Sequence, residues 1–478
     1  MTDDRQRQIT ESSFFEQEYS FTEDINNESS TKSSCMPKRY IIMLLLFFGM
    51  MNVFILRVNL NVAVVEMTSN RTVVINNQTI EQKPEFDWNS KTKGILLSLF
   101  FYGYIIVMPF GGYLATKFGG VSTFGIGIFV TAIFTIISPI NLYMGIYWFG
   151  FCRIIEGAAE ALCYTSTADI CSRWTKPEER SRLLSLTFSG VHIGITAAFP
   201  LCGFVAKSYG WPAIFYVTGS LSLIWFCFWI MLATNDPAPD DRDRKFLTRI
   251  WRSGQNQKPY PWKNLLTSRP VIILLLSKVS YGWGYNLMVQ CFPMYIKDAT
   301  GAKIDQVGYL SAIPNFAGIL TMPLSGYLLD TIINRNILTP TYAHKLMMCT
   351  SLLASASLLL AVSYLNSFNK IFILFILYKM TINFMFVTEH LVPLYLSPEY
   401  ASGVQGITSL GYISANIISP TIFGFIVTDH SMAQWNKFFT ISAFSSIVIS
   451  LVFGLFSSSE LQPWSGRSKN QEFQPIDQ

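Results

Sequence analysis

The sequence predicts an all-α membrane protein: twelve transmembrane helices arranged as two pseudo-symmetric six-helix bundles. Composition is the first reason. Half of the 478 residues are hydrophobic and only 14% are charged, against roughly 25% in soluble domains, and mean hydropathy is +0.34. Apolar runs are the second, because they recur along the chain at close to the roughly 20 residues that a helix needs to cross a hydrocarbon core. A repeat is the third. "VMPFGGYLATKFGG" begins at Val107 and "TMPLSGYLLDTIINR" at Thr321, an offset of 214 that also pairs Gly94 with Gly308, Pro109 with Pro323 and Gly112 with Gly326. Matches held at one spacing point to a duplicated unit, so each half is expected to fold alike.

The first half contributes "YIIMLLLFFGMMNVFILRVNLNVAVV" (Tyr40 to Val65), then runs at about 94–115, 121–139, 143–166, 186–206 and 212–233 in windows of about 19 residues. After a polar stretch the second half gives runs at about 270–296, 306–329, 343–364, 370–391, 404–427 and 436–457. The domain plan is therefore a tail at 1–39, a bundle at 40–233 with an outer loop at 66–93, a linker at 234–269, a second bundle at 270–457 and a tail at 458–478. The tail at 1–39 is polar and holds the acidic "FTEDINNES", which does not read as a secretory signal peptide, so the first span is expected to be retained.

Orientation follows from charge. Lys38 and Arg39 precede the first span, "CSRWTKPEERSR" joins the fourth to the fifth, and Asp236 to Arg269 carries eight Lys or Arg against four acidic residues. Positive flanks on short loops mark the cytosolic side, so both termini and the linker are assigned there. The loop at 66–93 holds sequons at Asn70 and Asn77, expected glycosylation sites on a lumenal or extracellular face. The eight cysteines are mostly scattered in apolar segments and none lies in that loop, so neither a disulfide framework nor a metal spacing is read. The basic linker is expected to lie beside anionic lipid rather than nucleic acid. "ESSFF" ends in Phe14 and Phe15 and makes no acidic dileucine, so the tail lends lysosomal sorting no support, and a plasma membrane or a vesicular/lysosomal membrane is the expected place. No phosphate-loop, Gly-x-Ser-x-Gly or His-Glu-x-x-His pattern occurs, so the chain is not read as an enzyme, and no cofactor is expected.

The repeated blocks close the second helix of each half, and Gly there lets helices approach closely. In the second copy Asp330 and Arg335 follow Gly326; the first has Thr116 and Lys117 after Gly112 and lacks the acid. The blocks resemble the loop signature of the major facilitator superfamily, transporters built from two six-helix halves around a central site. The resemblance assigns Gly112, Gly326, Asp330 and Arg335 to a conformational loop motif. "RVNLNVAVVEM", "RIIEGAAEALCYTS", "RWTKPEERSRLLS", "GWPAIFYVTG" and "SELQPW" narrow it. They look like the anion and phosphate transporter branch that holds sialin, the vesicular glutamate transporters and the sodium-phosphate cotransporters, closest in pattern to sialin.

Charges inside the spans carry the functional reading, because an ionisable group near a bilayer centre costs roughly 2.5–3.5 kcal/mol unless it is paired or wetted. Arg57 lies within the first span and is the candidate anchor for an anion, since a guanidinium stays charged and forks onto a carboxylate or phosphate. Arg153, Glu156 and Glu160 are spaced i, i+3 and i+7, one face of the fourth helix, expected to look into the cavity between halves. Burial favours the protonated acid and a nearby arginine the carboxylate, a balance suited to a proton-coupling site. Snorkelling of Arg57 and a static Arg153–Glu156 pair are the structural alternatives. The branch implies a coupling role for this Arg and these acids.

Elsewhere the chain departs from that branch. Many relatives place a His shortly after the fourth-span motif; here Tyr164 is followed by Thr165, Ser166, Thr167 and Ala168. The glutamate transporters carry Arg two residues before a seventh-span Trp, where this chain has Tyr281 before Trp283, as sialin does; that argues against vesicular glutamate transport and makes Tyr281 a substrate-binding candidate. Lys278 either adds positive charge or snorkels. His390 stands in a differently spaced tenth span, and His192, Lys379 and Glu389 are read as packing or interfacial as readily as functional. The expected function is secondary active transport of a small organic anion (an acidic sugar, an acidic amino acid or a similar carboxylate), by alternating access, as a monomer coupled to H+. Na+ is the alternative coupling ion. A sodium-coupled phosphate or anion cotransporter and a non-transporting anion sensor are the alternative functions.

Overall fold

The computed structural model describes residues 38–68, 71–75, 78–82, 85–88, 90–234, 260–300, 304–365, 367–428 and 431–465. Asn70 and Asn77 fall outside these residues, as do most of the tail at 1–39, most of the linker and the last part of the second tail.

Six long helices make up the first half: α1 (Lys38–Thr68), α2 (Ser90–Phe118), α3 (Gly120–Met144), α4 (Ile146–Trp174), α5 (Arg180–Tyr209) and α6 (Trp211–Leu232). The second half begins with a short helix, Trp262–Thr267, and then α7 (Arg269–Asn286), which continues through a π-turn at Leu287–Cys291 into the helix Phe292–Thr300. There follow α8 (Ile304–Asn334), α9 (Pro340–Tyr364), α10 (Phe368–Leu396), α11 (Ala401–Ile426) and α12 (Met432–Phe456). Most helices outrun the apolar windows, because hydropathy registers only the lipid-facing stretch while backbone hydrogen bonding carries the helix into the polar ends. Among the described residues nine helices are long and apolar enough to span a membrane by composition. The π-turn inside the expected seventh span was not signalled by the sequence. Nor was an antiparallel hairpin in the outer loop, Arg71–Ile75 against Gln78–Gln82, a small departure from the all-α expectation.

The membrane character is visible in which side chains face out. Ile106, Phe204, Ile230, Leu320 and Phe425 are exposed, whereas Arg153, Glu156, Glu160, Lys278, Lys379 and Glu389 are each 2% exposed or less. An aqueous protein would invert this arrangement; in lipid it keeps charge among protein partners. Indole and hydroxyl donors tie α6 to its neighbours: Trp225 Nε1 donates to Leu45 O at 3.1 Å, Trp229 Nε1 to Val121 O at 3.0 Å, and Ser222 Oγ to Asn52 Oδ1 at 3.1 Å. Helices α2 and α4 cross backbone to backbone. A Cβ on Gly157 would overlap the Phe100 carbonyl, and one on Gly103 the Ile154 carbonyl, so this crossing admits only glycine. It brings the polar face of α4 within reach of α1 and α3.

Two ends of the bundle can be named by what they carry. The linker face holds the ends of α6 and α7 that flank 235–259. The loop face holds Glu85 to Trp88, where Glu85 accepts from Trp211 Nε1 at 2.6 Å and Tyr143 Oη at 2.9 Å.

Candidate functional site

A narrow cavity lies between the halves. From the first half it is lined by Phe54, Arg57, Tyr104, Tyr164, Val191 and His192. From the second it is lined by Tyr281, Tyr285, Met322, Phe386 and Tyr412. About 20 Å³ of it is open to the centre of a water molecule, room for one or two waters and not for an organic solute. Tyr104, Tyr164 and Tyr281 line this space, while the nearby Tyr102 faces outward, 55% exposed.

Arg57 reaches the cavity from α1 and does not snorkel. Its guanidinium lies over the rings of Phe54 at 4.4 Å, Phe100 at 5.0 Å and Tyr104 at 5.0 Å, a partial aromatic cage that favours a planar cation. Its charge is already engaged. Nε donates to Glu160 Oε2 at 2.9 Å, and Nη2 lies 2.8 Å from the same oxygen. Glu160 is 1% exposed, and its Oε1 has no hydrogen-bond partner among the described residues.

The other two charges of α4 depart from expectation. Arg153 and Glu156 form a buried ion pair that does not line the cavity. Glu156 is held from α3 instead, with Thr135 Oγ1 donating to its Oε1 at 3.1 Å and Ser138 Oγ at 3.4 Å. The three residues do share a face, as their spacing requires, but that face looks into the first bundle. Only its last member, Glu160, extends far enough to meet Arg57.

The histidine absent after Tyr164 arrives from the other half. Tyr164 Oη is 2.6 Å from His390 Nε2, and His390 Nδ1 is 2.9 Å from Phe386 O. A carbonyl only accepts, so Nδ1 carries the proton and Nε2 accepts from the phenol of Tyr164. Phe386 stacks on the imidazole with centroids 3.9 Å apart. Lys278 does not snorkel; it is 2% exposed and donates to Gln405 Oε1 at 3.0 Å and Ser409 Oγ at 3.3 Å. Glu389 is fully buried, and neither of its oxygens has a hydrogen-bond partner among the described residues.

Between the cavity and the linker face, the repeated blocks seal the halves together. The Asp330 carboxylate accepts from the backbone N–H of Ser181 at 3.1 Å and of Arg182 at 2.8 Å, the first turn of α5, where the helix dipole favours an anion. Gly326 sits so close to Ser181 O and Ser185 that a side chain there would collide. The pseudo-equivalent place in the first half is occupied by Thr116, whose Oγ1 is 3.0 Å from Ser402 Oγ at the start of α11, with Gly112 against the Ser402 and Gly403 backbone. A neutral hydroxyl pair thus replaces the acid, and aromatic rings from the linker's end cover it. Tyr260 packs on Tyr113 at 5.1 Å and Tyr400 at 5.3 Å, and Trp262 on Phe110 at 5.9 Å. Burial pushes the Tyr260 phenol up, so the ring stays neutral. Arg335, the fourth residue assigned to the motif, lies exposed beyond α8. No sequence signal marked Tyr260 or Trp262 for this role.

The profile described as "Major Facilitator Superfamily" matches residues 42–388. Among curated proteins the chain is 31% identical over 441 residues to vesicular glutamate transporter 3 of Danio rerio, covering 90% of this chain and 75% of that one. It is 30% identical over 440 residues to vesicular glutamate transporter 1 of Bos taurus, covering 90% and 79%. Among solved structures it is similar to the proton:xylose symporter XylE bound to 6-bromo-6-deoxy-D-glucose, with TM-score 0.69 and 14% identity over 88% of this chain and 97% of that one. It is also similar to FucP in the outward conformation, with TM-score 0.65 and 12% identity over 87% and 99%.

Proposed function

From the premise that this chain belongs to the major facilitator superfamily, we propose that it is a secondary active transporter that moves a small carboxylate-bearing anion together with H+ by alternating access. It is a multi-pass membrane protein and a transporter rather than an enzyme. The names of its relatives support an organic anion as cargo and a vesicular membrane as its place, and the positive charge of the linker supports a cytosolic linker face.

One observation carries the reading: the only charge-fixed side chain among the described cavity-lining residues, Arg57, is bonded to a buried acid. A substrate carboxylate needs the same guanidinium, so it competes with Glu160. Once a proton neutralises Glu160, the pair loses its attraction and Arg57 can fork onto the substrate. Binding of the anion and binding of the proton then favour each other, which is the thermodynamic condition for symport. The small cavity and the sealed linker face support a form in which the site is shut from that side. Opening there requires Asp330 to leave the α5 amides and Tyr260 to leave the α11 end. The buried Arg153–Glu156 pair, bonded to neither seal, braces α4 so that Glu160 is presented to Arg57.

Purified protein in liposomes tests this with labelled anions under imposed pH gradients, with and without sodium. Proton-driven accumulation is expected, and Glu160→Gln should leave anion exchange intact while removing its dependence on the pH gradient. Accumulation that follows sodium alone, or anion binding without accumulation, would overturn the proposal in favour of sodium cotransport or sensing.

A further inference from the structure

The first bundle's intramembrane charges are matched: Arg57 with Glu160 and Arg153 with Glu156. In the second bundle Lys278 and Glu389 lie within electrostatic reach of each other, which leaves Lys379 unmatched among the described residues. Lys379, on α10, is 1% exposed, and its Nζ has no hydrogen-bond partner among the described residues. The nearest aromatic face is that of Tyr285, a cavity-lining ring, with its centroid 5.4 Å from the ammonium. His192, another cavity-lining side chain, is within electrostatic reach of Lys379, and its Nε2 also lacks a hydrogen-bond partner among the described residues. Arg57 acts on the same Tyr285 from the other half.

Among the described residues no acid nearby neutralises the ammonium. Glu389, on the same helix, is ten positions on, about 15 Å along the axis. Glu160 is taken by Arg57. One turn from Lys379, Asn383 Nδ2 donates to Gly318 O at 3.0 Å and Thr321 Oγ1 at 3.1 Å, which fixes that stretch of α10 without engaging the amine. A buried cation with no partner is costly unless something supplies the counter-charge. The wall in front of it is the cavity that Arg57 enters from the other side.

We propose that Lys379 is a second cationic anchor of the central site, placed across Tyr285 from Arg57, so that the site selects small organic anions bearing two separated negative groups over those bearing one. This rests on the anion-transport reading above. The second group of the solute supplies the charge that Lys379 lacks, while the first takes Arg57 when Glu160 is protonated. Because the cavity is too small for such a solute as it stands, Tyr285 must turn aside as the halves part.

The test uses the full-length protein in proteoliposomes and matched pairs that differ by one negative group: succinate against succinamate, glutamate against glutamine, and glucarate against gluconate. Wild-type protein is expected to take up the member with more negative groups at least about tenfold faster in the pair it accepts. Lys379→Met should abolish that preference while changing uptake of the less charged member less than about twofold, and Lys379→Arg should restore it in part. A Lys379→Met protein that keeps the preference, or a wild type that shows none, overturns the proposal while leaving anion transport standing. Failure to transport any member of any pair overturns both. Should Lys379→Met not fold, the wild-type preference, read also as thermal stabilisation of detergent-purified protein by each pair, still decides it.

Discussion

Replacing Asp330 by Asn asks how much one carboxylate contributes to keeping the linker face shut. In the closed form its two oxygens accept from the Ser181 and Arg182 amides at 3.1 and 2.8 Å. Asn keeps one acceptor and turns its own N–H group toward the second donor. About one charge-assisted hydrogen bond is lost, roughly 1.5–3 kcal/mol, together with roughly 0.3–1 kcal/mol of attraction to the α5 dipole. The Arg182 guanidinium, 3.4 Å away and 47% exposed, adds little. The sum, about 2–4 kcal/mol, multiplies the open-to-closed ratio by roughly 30 to 700 at about 1.4 kcal/mol per tenfold. Spin labels at Glu178→Cys and Ile337→Cys, in a background without accessible cysteines, report the separation across this seal by pulsed electron resonance. Asp330→Asn should move most of the distance distribution to the longer population. Thr116→Asp, which places an acid beside the α11 N-terminus, should move it the other way. An unchanged distribution in Asp330→Asn would refute the claim that this carboxylate holds the face closed.

Arg57→Lys keeps the charge but loses the fork and the planar stacking on Phe54, Phe100 and Tyr104, so anion affinity should fall about 10- to 100-fold in equilibrium binding, despite correct folding. Gly157→Ala forces a methyl into the Phe100 carbonyl and should destabilise the purified protein by at least about 1–3 kcal/mol, seen as a lower Tm, with loss of transport because Glu160 is displaced from Arg57.

The spans and the repeat were legible because each follows from local composition: lipid demands long apolar runs, and duplication preserves spacing. Arg57 and Glu160 were both picked out by their cost in a membrane, yet their pairing, across 103 positions, could not be read from either helix alone. The same is true of Tyr164 and His390, 226 positions apart. Periodicity put Arg153 and Glu156 on one face correctly but said nothing about which neighbour that face meets; the glycine crossing of α2 and α4 decides it. Lys379 and Glu389 were undecided in the sequence because a lone charge near a helix centre reads alike whether or not it finds a partner. Only the packed bundle distinguishes those cases.

The aromatic clasp of Tyr260 and Trp262 changes what the segment joining the two bundles is. A tether only sets how far apart its ends can drift, and its length can be altered freely. Here the last residues of that segment are themselves a wedge driven against the first half, so severing the chain upstream of Tyr260 would leave the wedge attached to the second half and still able to seat. A cut downstream of Trp262 would hand it to the wrong fragment.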